Sequence, residues 1–156
     1  MTSKANPQGF RDLLVWQKSM QLVKQIYVKT QQFPRDEKFG LTSQIRRAAV
    51  SVPSNIAEGQ ARHSTCEFIQ FISNAEGSVA ELETPLEIAV DLMYCTPVQK
   101  DRALSLAEEV RKMLNSLRRR LQGRWNIQIK NLSPSSRQQG LAGCISLVTC
   151  HSTLVT

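Results

Sequence analysis

Histidine is nearly missing from this chain, with only His63 and His151 in 156 residues. Neither has a glutamate three residues before it, so the Glu-x-x-His pairs that build di-iron centres in helical bundles are not available. A Ser-His-Asp or Cys-His nucleophile set would have to draw on the same two residues. The seven glycines form neither a phosphate loop nor a dinucleotide fingerprint. Cysteine occurs at Cys66, Cys95, Cys144 and Cys150, never as Cys-x-x-Cys. Cys144, Cys150 and His151 together fall short of the roughly four ligands of a structural zinc site. No apolar stretch reaches the roughly 18–20 residues that span a bilayer, and the first ten residues hold no secretion-type apolar segment. These absences set the expectation of a cytoplasmic protein with reduced thiols, no membrane association, no cofactor, no metal and no enzymatic activity.

Aromatics make up only 6% of the chain, and alternating β-branched runs are missing before residue 140, which argues against a sheet-based core. What is present is helical periodicity. The first helix is expected from Asp12 to Gln32, with Asp12 as its cap and Leu13, Trp16, Met20, Val23, Ile26, Tyr27 and Thr30 on one face. Phe33-Pro34 stops it. A second helix carries Leu41, Ile45, Ala48, Ala49, Val52, Ile56 and Ala57, with a kink expected at Ala49–Pro53 and a frayed end at Gly59. Ser64-Thr65-Cys66-Glu67 reads as a capping box opening a third helix. Its seam, Phe68, Ile72, Ala75, Val79, Leu82, Leu86, Ala89 and Met93, steps by fours and threes, with a kink expected at Glu81–Pro85. Thr96, Pro97 and Gln99 supply cap, first-turn proline and capping partner for a fourth helix, which Gly123 is expected to close.

Four amphipathic helices with short links predict an all-α, antiparallel up-down-up-down four-helix bundle over 12–122. Residues 1–11 form an N-terminal arm. Residues 123–156 read as a poorly ordered C-terminal tail, because Ser-Pro-Ser-Ser-Arg-Gln-Gln-Gly is linker-like and the last strand-like stretch has no partner.

Charge is unevenly placed. The formal net charge is +7, yet residues 64–94 hold six acidic side chains and no lysine or arginine. Glu83 and Glu87 lie one turn apart, a spacing that suits a metal pair or, more plainly, a solvated acidic face. Basic residues gather at Arg46-Arg47, Arg111-Lys112, Arg118-Arg119-Arg120 and Arg124. These clusters read in three ways: favourable termination of a helix at its negative end, a phosphate-binding patch, or a surface that meets the acidic helix of another subunit. Trp16 and Tyr27 read as core and rim aromatics, and Glu58 with Arg62 as a helical salt bridge.

Several stretches in order, Asp-Leu-Leu-Val-Trp-Gln-Lys-Ser-Met at 12–20, Phe-Pro at 33–34, and Glu-Lys-Phe-Gly-Leu through Ile-Ala-Glu-Gly at 37–59, resemble a known family. Arg62, Ser64, Glu67-Phe68 and Gly-Ser-Val-Ala-Glu-Leu-Glu-Thr at 77–84 extend the likeness. Over about residues 10–122 the chain resembles the bacterial four-helix proteins associated with intervening sequences in 23S ribosomal RNA genes. That resemblance implies a ring-like homopentamer without established enzymatic activity. A more distant likeness is to the accessory protein of diversity-generating retroelements, which binds nucleic acid and a reverse transcriptase. By that analogy Arg46, Arg47, Arg111, Lys112, Arg118, Arg119, Arg120 and Arg124 are candidates for contact with RNA or DNA phosphates. Gln44, Asn55 and Glu58 match the family motif and are expected to make structural or intersubunit hydrogen bonds. Pro85 departs from the family pattern. The expected function is therefore a homo-oligomer binding structured RNA or other nucleic acid; the alternative is a protein-interaction scaffold.

Overall fold

The computed structural model describes residues 9–131, whose regular elements are all helical. They are α1 (Leu14–Thr30), α2 (Leu41–Ala61), α3 (Thr65–Glu81), α4 (Glu83–Asp91) and α5 (Pro97–Lys130), with three-ten turns at Phe10–Asp12 and Arg35–Lys38. α3 and α4 are two segments of the third bundle helix, so the expected four-helix architecture is present. Paired contacts give the directions. Lys18 of α1 meets Glu109 of α5 at 3.0 Å, whereas Lys29, further along α1, donates to the carbonyl of Gln99, nearer the start of α5. Ser51 and Ser78 meet at 2.9 Å while Gly59 lies against Phe68 and Phe71, so α2 and α3 also run oppositely. The pairs Glu76–Arg118 and Glu87–Lys100 do the same for α3–α4 and α5. α1 packs on α2 and α5, and α3 packs on α2 and α5, which leaves α2 and α5 on a diagonal.

The core is apolar and closed, with Leu22, Ile26, Ile45, Ile56, Ile72 and Leu114 all fully buried. Each such side chain contributes about 1.5–3 kcal/mol relative to exposure. The seam expected for the third helix is buried from Ile72 to Ala89. Thr96 and Gln99 form the reciprocal capping box at the start of α5, with Pro97 in its first turn. Ser64 caps α3 by accepting from the Glu67 amide at 3.1 Å, but the Glu67 carboxylate takes the Ser64 hydroxyl at 2.7 Å rather than the Ser64 amide.

Several expected boundaries move. α1 begins at Leu14 with Leu13 at the cap position and no side-chain capping bond, so Asp12 does not cap it. The three-ten turn before it, anchored by the Phe10–Trp16 ring contact at 5.3 Å, sets the entry instead. The buried stripe of α1 is Val15, Ser19, Leu22, Ile26 and Thr30: Ile26 and Thr30 are as expected, but in the first half of the helix the stripe is one residue off, and Trp16 and Val23 flank it. α2 stays helical on both sides of Pro53 and continues past Gly59 to Ala61. The third helix breaks at Leu82, three residues before Pro85, whose ring nitrogen has no proton for the Glu81 carbonyl. It ends at Asp91, so Met93 falls outside the seam and is exposed.

Gly123 does not close the last helix. α5 runs on to Lys130, with Leu121 and Ile129 buried and Trp125 between them at four-residue spacing. A glycine inside a helix costs only about 1 kcal/mol and is tolerated when the apolar spacing continues beyond it. The remaining reading of the tail concerns residues 132–156, which lie outside the described residues, as do most of the arm and both Cys144 and Cys150. Cys95 is a free thiol whose burial raises its pKa. No described helix is long and apolar enough to cross a membrane.

Candidate nucleic-acid interface

The candidate cations do not form one surface. On α5, helical geometry sorts them by the neighbour each one faces. Arg118 points toward α3 and donates through Nε to Glu76 at 3.1 Å and through Nη2 to Asn115 at 2.9 Å. Arg111 is engaged by Glu108 on its own helix through an Nε bond of 2.7 Å. Lys112 reaches the same carboxylate only at 3.8 Å and stays exposed. Arg119 and Arg120 are exposed, and with Lys112, Asn115 and Ser116 they line an open cleft of about 470 Å³ that no carboxylate of the described residues lines. Arg124, one turn further on, is exposed as well.

A second cationic cleft, of about 540 Å³, lies between α1, the turn before α2, and α2 itself. Arg46 is partly buried there. Its guanidinium sits 4.7 Å over the Tyr27 ring, and its Nε donates to Thr30 Oγ1 at 2.8 Å. Thr30 is in turn tied to the Ile26 carbonyl at 2.9 Å, so the arginine is held by a chain of bonds rooted in α1. Arg47 is exposed beside it, and Lys38, Phe39, Thr42 and Ser43 complete one wall. Tyr27 is thus a rim residue, as expected, whereas Lys38 and Phe39 were not among the candidate site residues and Thr30 was expected only on the inner face of the first helix. The signal for Phe39 was an apolar ring beside Gly40 that fits no helical stripe.

The two clefts are far apart. Near the Thr30 end of α1, α5 is at Gln99, while the Leu14 end lies beside Leu117 and Arg120. Some 20 residues of α5 separate those levels, or about 30 Å at roughly 1.5 Å per residue. α2 is also diagonal to α5. Within one copy, then, the expected cations form two separate patches.

The acidic helix is partly neutralised inside the chain. Glu76 takes Arg118, and Glu87 takes Lys100 at 2.9 Å, a bond that raises the lysine pKa. Lys29, by contrast, is lowered by burial. Glu58 pairs with Arg62 as the i,i+4 spacing predicts, and Arg62 also stacks over Phe71 at 4.8 Å. Asn55 donates to the Ser51 carbonyl at 2.8 Å and to its hydroxyl at 3.0 Å, next to the Ser51–Ser78 contact that joins α2 to α3. Gln44 is exposed. Among the described residues no group of three His, Cys, Asp or Glu side chains is placed to hold a metal.

Residues 11–116, spanning α1 through most of α5, match the family described as 23S rRNA-intervening sequence protein. The chain belongs to this family. The fold agrees with a solved structure from Bacteroides thetaiotaomicron VPI-5482, described as a protein with unknown function from the S23 ribosomal protein family. It is 26% identical with a TM-score of 0.61, over 67% of this chain and 97% of that one. No curated protein matches the chain significantly. The family match ends at residue 116, so Arg118, Arg119, Arg120 and Arg124 lie beyond it, whereas Arg46 and Arg47 lie within it.

Proposed function

We propose that this family member is a non-enzymatic, cytoplasmic homo-oligomer, a pentamer, that binds structured RNA or other nucleic acid electrostatically. The observation that carries the reading is the open cleft of Lys112, Arg119 and Arg120, whose lining among the described residues holds no carboxylate. Arg124 continues that surface, and Arg47 with Arg46 supplies a second contact on the far side of the bundle. Exposed cations release counterions when they meet phosphates, which is the main source of nucleic-acid affinity, and with Glu108 3.8 Å from Lys112 the two arginines carry most of that contact. Arg118 is assigned to the fold instead, because Glu76 already satisfies it.

A scaffold reading is favoured by one observation: Glu81, Glu83 and Asp91 remain exposed along α3 and α4 and offer an acidic stripe to a basic partner. The two readings separate on a triple substitution, Arg119→Gln, Arg120→Gln and Arg124→Gln. For a nucleic-acid binder the variant keeps its light-scattering mass and loses affinity for RNA. Its salt dependence becomes shallower by up to about 0.9 for each duplex phosphate that is no longer neutralised. A variant that falls apart, from a wild type that never bound RNA, supports the scaffold.

A further inference from the structure

The α1–α2 cleft has a feature that attraction to phosphates alone does not use. Phe39 is 88% exposed, although it belongs to the turn that leads into a well-packed helix. Its ring packs into no stripe of the bundle, and the Lys38 ammonium lies 5.4 Å from its centroid. Elsewhere in the cleft Arg46 is fixed over Tyr27 by its bond to Thr30, so the guanidinium presents its remaining donors from a defined position. Arg47, Thr42, Ser43 and Ser54 add a cation and three hydroxyls, and neither aspartate nor glutamate lines the cleft. An exposed aromatic face among three cations matches a ligand with a flat apolar face and an anionic edge. A duplex hides its base faces in the stack; an unpaired nucleotide offers both.

We propose that this cleft binds unpaired nucleotides of RNA or DNA, with a base stacked on Phe39 and the flanking phosphates held by Lys38, Arg46 and Arg47. The inference rests on the nucleic-acid reading above and narrows it. The α5 cleft has arginines but no exposed ring beside them, so it attracts backbone without regard to pairing. The α1–α2 cleft selects loops, bulges and ends within a structured RNA.

The test is fluorescence anisotropy with two labelled probes, an oligouridylate of about 12 nucleotides and an RNA duplex of the same length, a size within the usual single-strand site range. The oligouridylate is expected to bind more tightly than the duplex. Phe39→Ala should weaken the oligouridylate about tenfold, within the range that base–aromatic stacking supplies, and Phe39→Trp should restore it, with duplex affinity unmoved throughout. Because Phe39 is so exposed, neither variant disturbs the core, and a far-ultraviolet thermal melt confirms this. If both probes bind equally and Phe39→Ala changes neither, the single-strand site is overturned while the broader nucleic-acid reading stands. If neither probe binds, both readings fall. A lower light-scattering mass for Phe39→Ala would place the ring at an interface between copies and overturn the proposal.

Discussion

Arg118 and Glu76 are 42 residues apart in sequence and joined at 3.1 Å, tying α5 to α3. Both side chains are substantially shielded, at 30% and 19% exposure, and Asn115 takes a second donor of the arginine. A hydrogen bond to a charged group is worth about 1.5–3 kcal/mol when well shielded, and residual solvent access reduces it. Arg118→Ala and Glu76→Ala should therefore each lower unfolding stability by about 1–2 kcal/mol. The double variant should lose less than the sum of the two. Arg119→Ala, next in sequence but exposed, should move stability by less than about 0.5 kcal/mol. Urea unfolding of the four variants decides it, and strict additivity would mean that the pair is no brace.

Two glycines inside helices should respond oppositely to alanine. A Cβ on Gly59 would stand 2.6 Å from Phe71 Cβ and 2.7 Å from Phe68 Cδ2, and Phe71 Cβ cannot swing away without its backbone. Gly59→Ala is expected to destabilise by about 1–3 kcal/mol despite its better helix propensity. Gly77 has open space at the same position. Gly77→Ala should stabilise by about 0.5–1 kcal/mol. Denaturant midpoints of both variants test the contrast, and a shared sign would contradict the close α2–α3 approach.

Met93 has φ 59 and is the only described non-glycine residue at positive φ. It terminates the third helix: its amide bonds the Val90 carbonyl at 2.9 Å, and the Tyr94 amide bonds Ala89 at 2.8 Å. This is the helix-ending geometry that glycine usually supplies. The side chain is 89% exposed, so little packing is lost on removing it. Met93→Gly should raise stability by about 1 kcal/mol through relief of the left-handed backbone. A lower midpoint in the same unfolding assay would show that the methionine side chain matters more than its backbone.

The phenol of Tyr94 ionises above its ordinary 10.0, first because of desolvation and then because of the charge and hydrogen bond of Glu37, 3.4 Å away. Above pH 10.0 an unfolded chain sheds this proton while the folded one still holds it. The contribution to stability is thus complete below that pH and declines as pH rises through the folded value. In a Tyr27→Phe background, phenolate absorbance should follow Tyr94 alone. Glu37→Gln should shift that titration downward without returning it fully, since desolvation remains. An unchanged titration would remove Glu37 from the cause.

Legibility in the sequence followed the range of the interactions involved. The Thr96–Gln99 box and the seam from Ile72 to Ala89 rest on residues three and four apart, and both were readable. The start of α1 was not, because a ring contact six residues back outweighs the cap that Asp12 offers on paper. Gly123 misled for a related reason: local propensity favoured an end, while the spacing of Leu121, Trp125 and Ile129 carried the helix on.

Helical class, the order of the helices and the buried seam from Ile72 to Ala89 were all written in local periodicity and caps, whereas the core face of α1 was not. Which arginines are free was decided only by the tertiary structure. Arg118 and Arg119 are chemically identical neighbours, and a rotation of about 100° per residue sends one to Glu76 and the other to solvent. The cleft of Tyr27, Thr30, Phe39, Arg46 and Arg47 likewise exists only after α2 folds back on α1. No local rule joins those residues, because the bonds that hold them form between helices.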